Sequence, residues 1–149
     1  MARARSNLDS TRFAQLRRRH WLDLFGLDRH QCGAANASML IYKILRPAEW
    51  AHLQKAGETR GAPVDLQDGY VHFSTAAQVA ETLTRHFARD GDLTLLACDA
   101  EALGSELKWE PSRGGALFPH LYRPLLLADV IWARPVPGTN GVHDPGKLQ

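Results

Sequence analysis

Residues 69–75 have the sequence GYVHFST, in which apolar and polar side chains alternate around a histidine. This alternation predicts a strand over residues 70–74. Because successive side chains of a strand point to opposite faces, His72 is expected on the face opposite Val71 and Phe73. The segment therefore predicts a sheet that buries one face and presents a histidine on the other.

Similar patterns continue on both sides of this segment. Strands are predicted over residues 40–45, 93–98, 107–110 and within 125–133, and helices over residues 48–56 and 76–88. Ser74 or Thr75 can cap the second helix. Leu93–Cys98 is almost continuously apolar, which is typical of a central strand buried on both faces. Together these elements predict a single α+β domain over residues 39–136.

The two ends of the chain differ from this domain in composition. Residues 1–38 carry seven arginines and three aspartates, whereas residues 39–149 carry eleven basic and thirteen acidic side chains. The first segment has helical spacing in part, and it can be a targeting peptide, a basic helix that contacts a membrane or partner, or a flexible Arg-rich extension, which we prefer. Proline and glycine predict a disordered tail over residues 137–149.

The composition also excludes several classes of protein. With 44% hydrophobic and 23% charged residues, the chain resembles ordinary globular proteins. No apolar run approaches the roughly 20 residues of a membrane-spanning helix, so no integral membrane association is expected. Cys32 and Cys98 do not form a disulfide framework or a zinc motif, which favours a cytoplasmic location. The slightly acidic main body predicts no nucleic-acid binding, and we expect a monomer or a weak dimer.

A second stretch, residues 108–122, carries polar and aromatic side chains around a glycine loop. Trp109 and Glu110 precede this loop, and His120 and Tyr122 share one face of the extended segment that follows it. Histidine titrates near neutral pH and a carboxylate can stabilise positive charge. We therefore interpret His72, His120 and Glu110 as candidate catalytic residues. The candidate ligand-binding residues are Ser74, Thr75, Trp109, Arg113 and Tyr122.

Each candidate also has a purely structural interpretation. His72 can be a hydrogen-bonded structural histidine, and Ser74 and Thr75 can serve only as helix caps. Trp109 is a large aromatic side chain of the kind that packs in a core, and Arg113 can be solvated. The histidines and the glutamate are not spaced like a metal-ligand motif, so no metal is expected.

As a set, residues 68–75, Trp109-Glu110 and residues 118–122 resemble the bacterial and plant family known as domain of unknown function nine-five-two, over residues 39–136. The resemblance implies a fold similar to that of the ADP-ribosyltransferases, a split, bent, mixed β-sheet with flanking helices that cradles NAD. In transferases of that fold, a strand that contains Ser and Thr supports the binding site, and Ser74-Thr75 resembles this strand. Glu110 resembles the glutamate, late in the sequence of those transferases, that positions the nicotinamide ribose.

Two functions follow from this comparison. The first is a cleft for a small nucleotide ligand of the NAD type, with ADP-ribosyl transfer as its chemistry. Lys43 and Lys108, however, stand where such transferases carry other residue types. This difference favours the alternative, a non-catalytic domain on the same fold that binds a small ligand or a partner.

Overall fold

The computed structural model describes residues 38–112 and 114–149. The helices are α1 (Pro47–Ala56), α2 (Pro63–Asp68) and α3 (Val79–His86). The strands are β1 (Leu40–Leu45), β2 (Glu58–Thr59), β3 (Val71–His72), β4 (Ser74–Thr75), β5 (Leu93–Asp99), β6 (Leu107–Pro111), β7 (Leu117–Leu121), β8 (Leu125–Leu126), β9 (Val130–Val136), β10 (Gly138–Thr139) and β11 (Val142–His143). The predictions made for residues 1–37 and for Arg113 lie outside the described residues.

The largest sheet has four strands in the order β4-β1-β5-β9. The apolar strand β5 is an inner strand, as the sequence predicts, and the α+β class is confirmed. Every strand pairing among the described residues is antiparallel, so the expected mixed sheet is wrong. The physical reason is that α1 leads into the short strand β2, which pairs with β8 and not with β1.

Apolar layers cover both faces of this sheet. On one face Leu53 of α1 packs with Ile41 and Leu96, and all three side chains are fully buried. On the other face Val79 and Leu83 of α3 pack against a second group of sheet residues. The described part of the chain contains no helix that is both long and apolar enough to span a membrane.

The segment that predicts the fold connects two sheets. Strand β3 belongs to a three-stranded sheet in the order β3-β7-β6, whereas β4 belongs to the four-stranded sheet. Between them Phe73 is only 2% exposed, and its backbone N–H donates to the carbonyl of Pro119 at 2.9 Å. The single strand predicted over residues 70–74 is therefore two short strands, and the chain changes sheets at Phe73.

Helix α3 begins three residues later than the sequence predicts. The backbone N–H of Thr75 donates to the Gln78 side-chain oxygen at 3.0 Å, and the Ser74 hydroxyl lies 3.0 Å from that of Thr82. Residues 76–78 therefore form a turn, and neither Ser74 nor Thr75 caps the helix. Helix α2 escapes prediction because Pro63, its first residue, and Gly69, which follows it, are also turn signals.

The C-terminal residues differ from the disordered tail that the sequence predicts. Strands β10 and β11 pair as a hairpin, with Asn140 and Gly141 at φ values of 52° and 78° between them. An Asn-Gly pair at positive φ is typical of a tight hairpin turn. The Tyr42 hydroxyl also donates to the carbonyl of Gln149 at 3.0 Å. Glycine and asparagine thus mark a turn here, not disorder.

Cys98 lies on the inner strand β5, and its side chain is fully buried. Burial raises the pKa of its thiol to about 12, so that very little thiolate forms near neutral pH. In a Cys32→Ser background, we expect a thiol reagent to modify Cys98 only as fast as the protein unfolds. Labelling rates measured against urea concentration test this expectation. Fast labelling of the native protein without urea would contradict it.

Candidate functional site

The face of the three-stranded sheet that lies opposite the core carries both candidate histidines. His72 of β3 pairs across the strands with His120 of β7, and His120 pairs with Lys108 of β6. The imidazole centroids of the two histidines are 5.1 Å apart in an edge-on arrangement. Val71 and Leu121, on the opposite face, belong to the core. His72 thus lies on the face opposite Val71, as the alternation predicts.

The buried carboxylate of Asp65 fixes the position of His72. Asp65 is 1% exposed, and its Oδ1 accepts from the His72 backbone N–H at 2.9 Å and contacts Nδ1 of the same residue at 2.6 Å. Its Oδ2 accepts from the Lys43 ammonium and from the Ala62 backbone N–H, both at 2.6 Å. Since an ionised carboxylate can only accept, this contact places a proton on Nδ1 of His72.

Asp65 and Lys43 form a buried ion pair beneath the histidine. Burial by itself raises the pKa of Asp65, but the hydrogen bond from His72 and the charge of Lys43 outweigh it and lower the pKa to about 2. Burial also lowers the pKa of Lys43, and the Asp65 carboxylate opposes that effect. The carboxylate is therefore a permanent anion at neutral pH.

Titration of Asp65 should reduce the stability of the protein in a defined acid range. Its folded-state pKa lies below its ordinary value of 3.8, so its contribution is complete above about pH 4 and is lost as the pH falls through about 2. This difference corresponds to about 2 kcal/mol. Over this range, the free energy of unfolding in urea should fall more for the wild type than for Asp65→Asn. Equal slopes would disprove the assignment.

Glu110 holds the second histidine in a similar way. Its Oε2 lies 2.8 Å from Nδ1 of His120 and accepts from the Tyr122 hydroxyl, also at 2.8 Å. The hydrogen bond from His120, followed by that from Tyr122, lowers the pKa of Glu110. The Glu110 carboxylate in turn raises the pKa of Tyr122. Both candidate histidines are thus anchored at Nδ1 by a carboxylate.

An aromatic side chain covers this pair of histidines. The ring centroid of Tyr70 lies 4.3 Å from that of His120, with the planes at 26°, and 4.7 Å from that of His72. A further carboxylate oxygen, Oδ2 of Asp68, is 3.2 Å from Nε2 of His72. Burial, followed by the charges of Asp68 and Glu110, raises the pKa of Tyr70. The Tyr70 phenol therefore stays protonated at neutral pH.

The structure brings four of the candidate residues together and separates the others. His72, His120, Glu110 and Tyr122 form one cluster. Thr75 and Trp109 instead line an open concavity of about 370 Å³ with Met39, Ala100 and Glu101. Ser74 is 4% exposed and hydrogen-bonds to helix α3. Trp109 is 38% exposed, which contradicts its interpretation as a core residue.

Four residues that support or cover this cluster are missing from the sequence-based set of candidates: Lys43, Asp65, Asp68 and Tyr70. One signal could have revealed two of them, because Lys43 interrupts the otherwise apolar alternation of β1. A lysine in a buried strand requires an acidic partner, and Asp65 is within reach only in the folded chain. Among the described residues, no group of three or more His, Cys, Asp or Glu side chains is arranged to hold a metal ion.

Comparison with known proteins places the chain among others of similar sequence and fold. A family model described as "Protein of unknown function (DUF952)" matches residues 44–133. The crystal structure of protein CC0527 from Caulobacter crescentus is 48% identical, with a TM-score of 0.68, and the match covers 70% of this chain and 93% of that chain. The solution NMR structure of CC0527 is 47% identical, with a TM-score of 0.62 and coverages of 70% and 90%. No curated protein matches.

Proposed function

The chain belongs to this family of proteins of unknown function, and from that premise we propose that it is an acid–base enzyme acting on a small nucleotide-type ligand. One observation carries the proposal. His72 and His120 lie side by side, and the Nδ1 atom of each contacts a carboxylate oxygen, that of Asp65 at 2.6 Å and that of Glu110 at 2.8 Å.

This arrangement suits proton transfer in both directions. A carboxylate at Nδ1 fixes the ring orientation and leaves Nε2 as the nitrogen that can exchange protons with a substrate. In His72 this nitrogen lies 3.2 Å from Oδ2 of Asp68, so a substrate has to take the place of that carboxylate. With two such rings 5.1 Å apart, one imidazole can accept a proton from an attacking group while the other donates one to a leaving group. We assign the chemistry to group transfer or hydrolysis.

For the ligand we propose a nucleotide of the NAD type, with glycosyl or ADP-ribosyl transfer as the reaction. His120 and Tyr122 supply aromatic faces for a flat ring, and the ring of Tyr70 now stacks on the first of them and lies 5.1 Å from the second. Cleavage of an N-glycosidic bond creates a centre of oxocarbenium character, and the lowered pKa of Glu110 keeps a carboxylate ionised beside it. The change of sheets at Phe73 supports a split fold of the ADP-ribosyltransferase kind.

The alternative is a domain that binds such a ligand without catalysis. It is favoured by the cover over the histidines, because Tyr70 stacks on His120 and His120 is only 7% exposed. Lys108 supports the same alternative, since it stands in register with His120 where the transferases carry an acidic or amide residue.

Titration with NAD and with ADP-ribose, followed by NMR at millimolar ligand, tests binding. We expect chemical-shift changes at Tyr70, Tyr122 and His120. Release of nicotinamide from NAD, followed by chromatography, tests catalysis, and His72→Gln and His120→Gln should each lower the rate by about 10²- to 10⁴-fold. Glu101→Gln is a matched control, because Glu101 lines the separate concavity and should leave the rate unchanged.

The possible outcomes separate the proposals. Absence of any shift at millimolar ligand rules out a nucleotide of the NAD type. Binding without release of nicotinamide supports the non-catalytic alternative. Turnover that survives both histidine substitutions shows that the imidazoles are not the acid and the base.

A further inference from the structure

The position of Tyr70 indicates what the site binds. Its ring stacks on the imidazole of His120 at 4.3 Å and 26°, and it lies at tilted angles of 53° and 43° to two further rings, those of His72 and Tyr122. This leaves His120 7% exposed and the side chain of His72 34% exposed. In this state a substrate has access to His72 but not to the covered face of His120.

Tyr70 lies outside the strands that carry the two histidines beneath it. It lies in the connection between α2, which ends at Asp68, and β3, which begins at Val71, so its backbone belongs to neither element. A cavity of about 70 Å³ borders its side chain. Aromatic side chains outside regular elements reorient rapidly compared with strand residues in a core. His72 and His120, by contrast, are fixed by strand pairing and by carboxylates.

We propose that Tyr70 occupies the place of a flat aromatic ring of the substrate, such as a nucleobase or a pyridine ring, and leaves His120 when that ring binds. This inference rests on the proposed function for the location of the site and adds the substrate group that the site selects. A planar ring preserves the stacking on the imidazole that the departing phenol gives up. An aliphatic or purely sugar-phosphate ligand does not, so the site discriminates against it.

Chemical modification of the histidines tests the cover without any ligand. Diethyl pyrocarbonate modifies accessible imidazoles, and mass spectrometry of peptides separates His120 from His52, an exposed histidine that serves as the internal standard. We expect slow modification of His120 in the wild type and in Tyr70→Phe. In Tyr70→Ala the rate relative to His52 should rise about tenfold, as loss of a stacking contact predicts. An unchanged ratio in a folded Tyr70→Ala protein would show that Tyr70 does not shield His120.

A comparison of two ligands tests whether the site selects an aromatic ring of the substrate. Adenosine monophosphate and ribose 5-phosphate share the sugar and the phosphate but differ in the base. By calorimetry, the first should bind about threefold to tenfold more tightly to Tyr70→Ala than to the wild type, because the competing phenol is gone, and the second should bind equally weakly to both. Weaker binding of adenosine monophosphate to Tyr70→Ala, or binding to neither protein, would overturn the proposal.

These results are independent of those for catalysis. Suppose that nicotinamide release survives both histidine substitutions, while Tyr70→Ala exposes His120 and binds adenosine monophosphate more tightly. In that case the acid–base proposal fails and the ring proposal stands. If the histidines are essential but ribose 5-phosphate binds as well as adenosine monophosphate, the ring proposal fails alone.

Discussion

Replacement of Asp65 by alanine should destabilise the protein by about 3–5 kcal/mol. The substitution leaves the ammonium of Lys43, 5% exposed, without its 2.6 Å partner in the core. It also removes the acceptor of the backbone N–H groups of Ala62 and His72. A buried charge and buried donors without partners are among the most destabilising changes that one side chain can cause. Urea unfolding followed by circular dichroism measures the loss.

Two further variants identify the origin of this effect. Asp68→Ala is the matched control, because Asp68 also contacts His72 but its side chain is 38% exposed, and it should change the stability by less than about 1 kcal/mol. The double variant Lys43→Met with Asp65→Ala removes the unpaired charge and should recover part of the loss, leaving the contribution of the two N–H groups. No recovery would mean that the charge of Lys43 is not the main cause.

Gly61→Ala should have a similarly large effect, about 3–5 kcal/mol, through the same carboxylate. A Cβ atom at this position would overlap Oδ2 of Asp65 and lie 2.6 Å from its Cγ. The backbone φ of Gly61 is +95°, which disfavours any side chain. Because Lys43 and His72 both contact the carboxylate, Asp65 cannot move aside without losing those contacts. The midpoint of urea unfolding measures the change.

Gly57→Ala separates backbone strain from the clash. Gly57 ends α1 at a φ of +80°, but no atom lies within 4 Å of an added Cβ. Its replacement should therefore produce only the strain of a left-handed residue, about 1–2 kcal/mol. If both variants lost the same stability, the carboxylate would not be the reason why Gly61 is required.

The sequence predicts those features that depend on local pattern. The β-forming residues of β1, the apolar run of β5 and the glycine that ends α1 are each a property of a few consecutive residues, and all three elements are found in the structure. The face on which His72 lies also follows from local alternation. The shared face of His120 and Tyr122 follows in the same way, and both contact Glu110.

The features that escape prediction depend on residues far apart in the chain. Asp65 lies 22 positions from Lys43, and nothing local distinguishes it from a solvent-exposed acid in a polar turn. Tyr70 reaches His120 only because β3 and β7 pair. The change of sheets at Phe73 is likewise invisible in a continuous alternating run. Contacts between elements that are far apart in the chain, not local propensity, decide these positions.

The buried pair of Lys43 and Asp65 also limits how this protein can evolve. Each single replacement leaves the partner's charge in the core, and a domain of this size is stable by only about 5–15 kcal/mol. A lineage that passed through either single change would thus lose a large share of its folded population. The two codons should therefore change together, or after a stabilising substitution elsewhere. Related proteins should then either keep both residues or replace both.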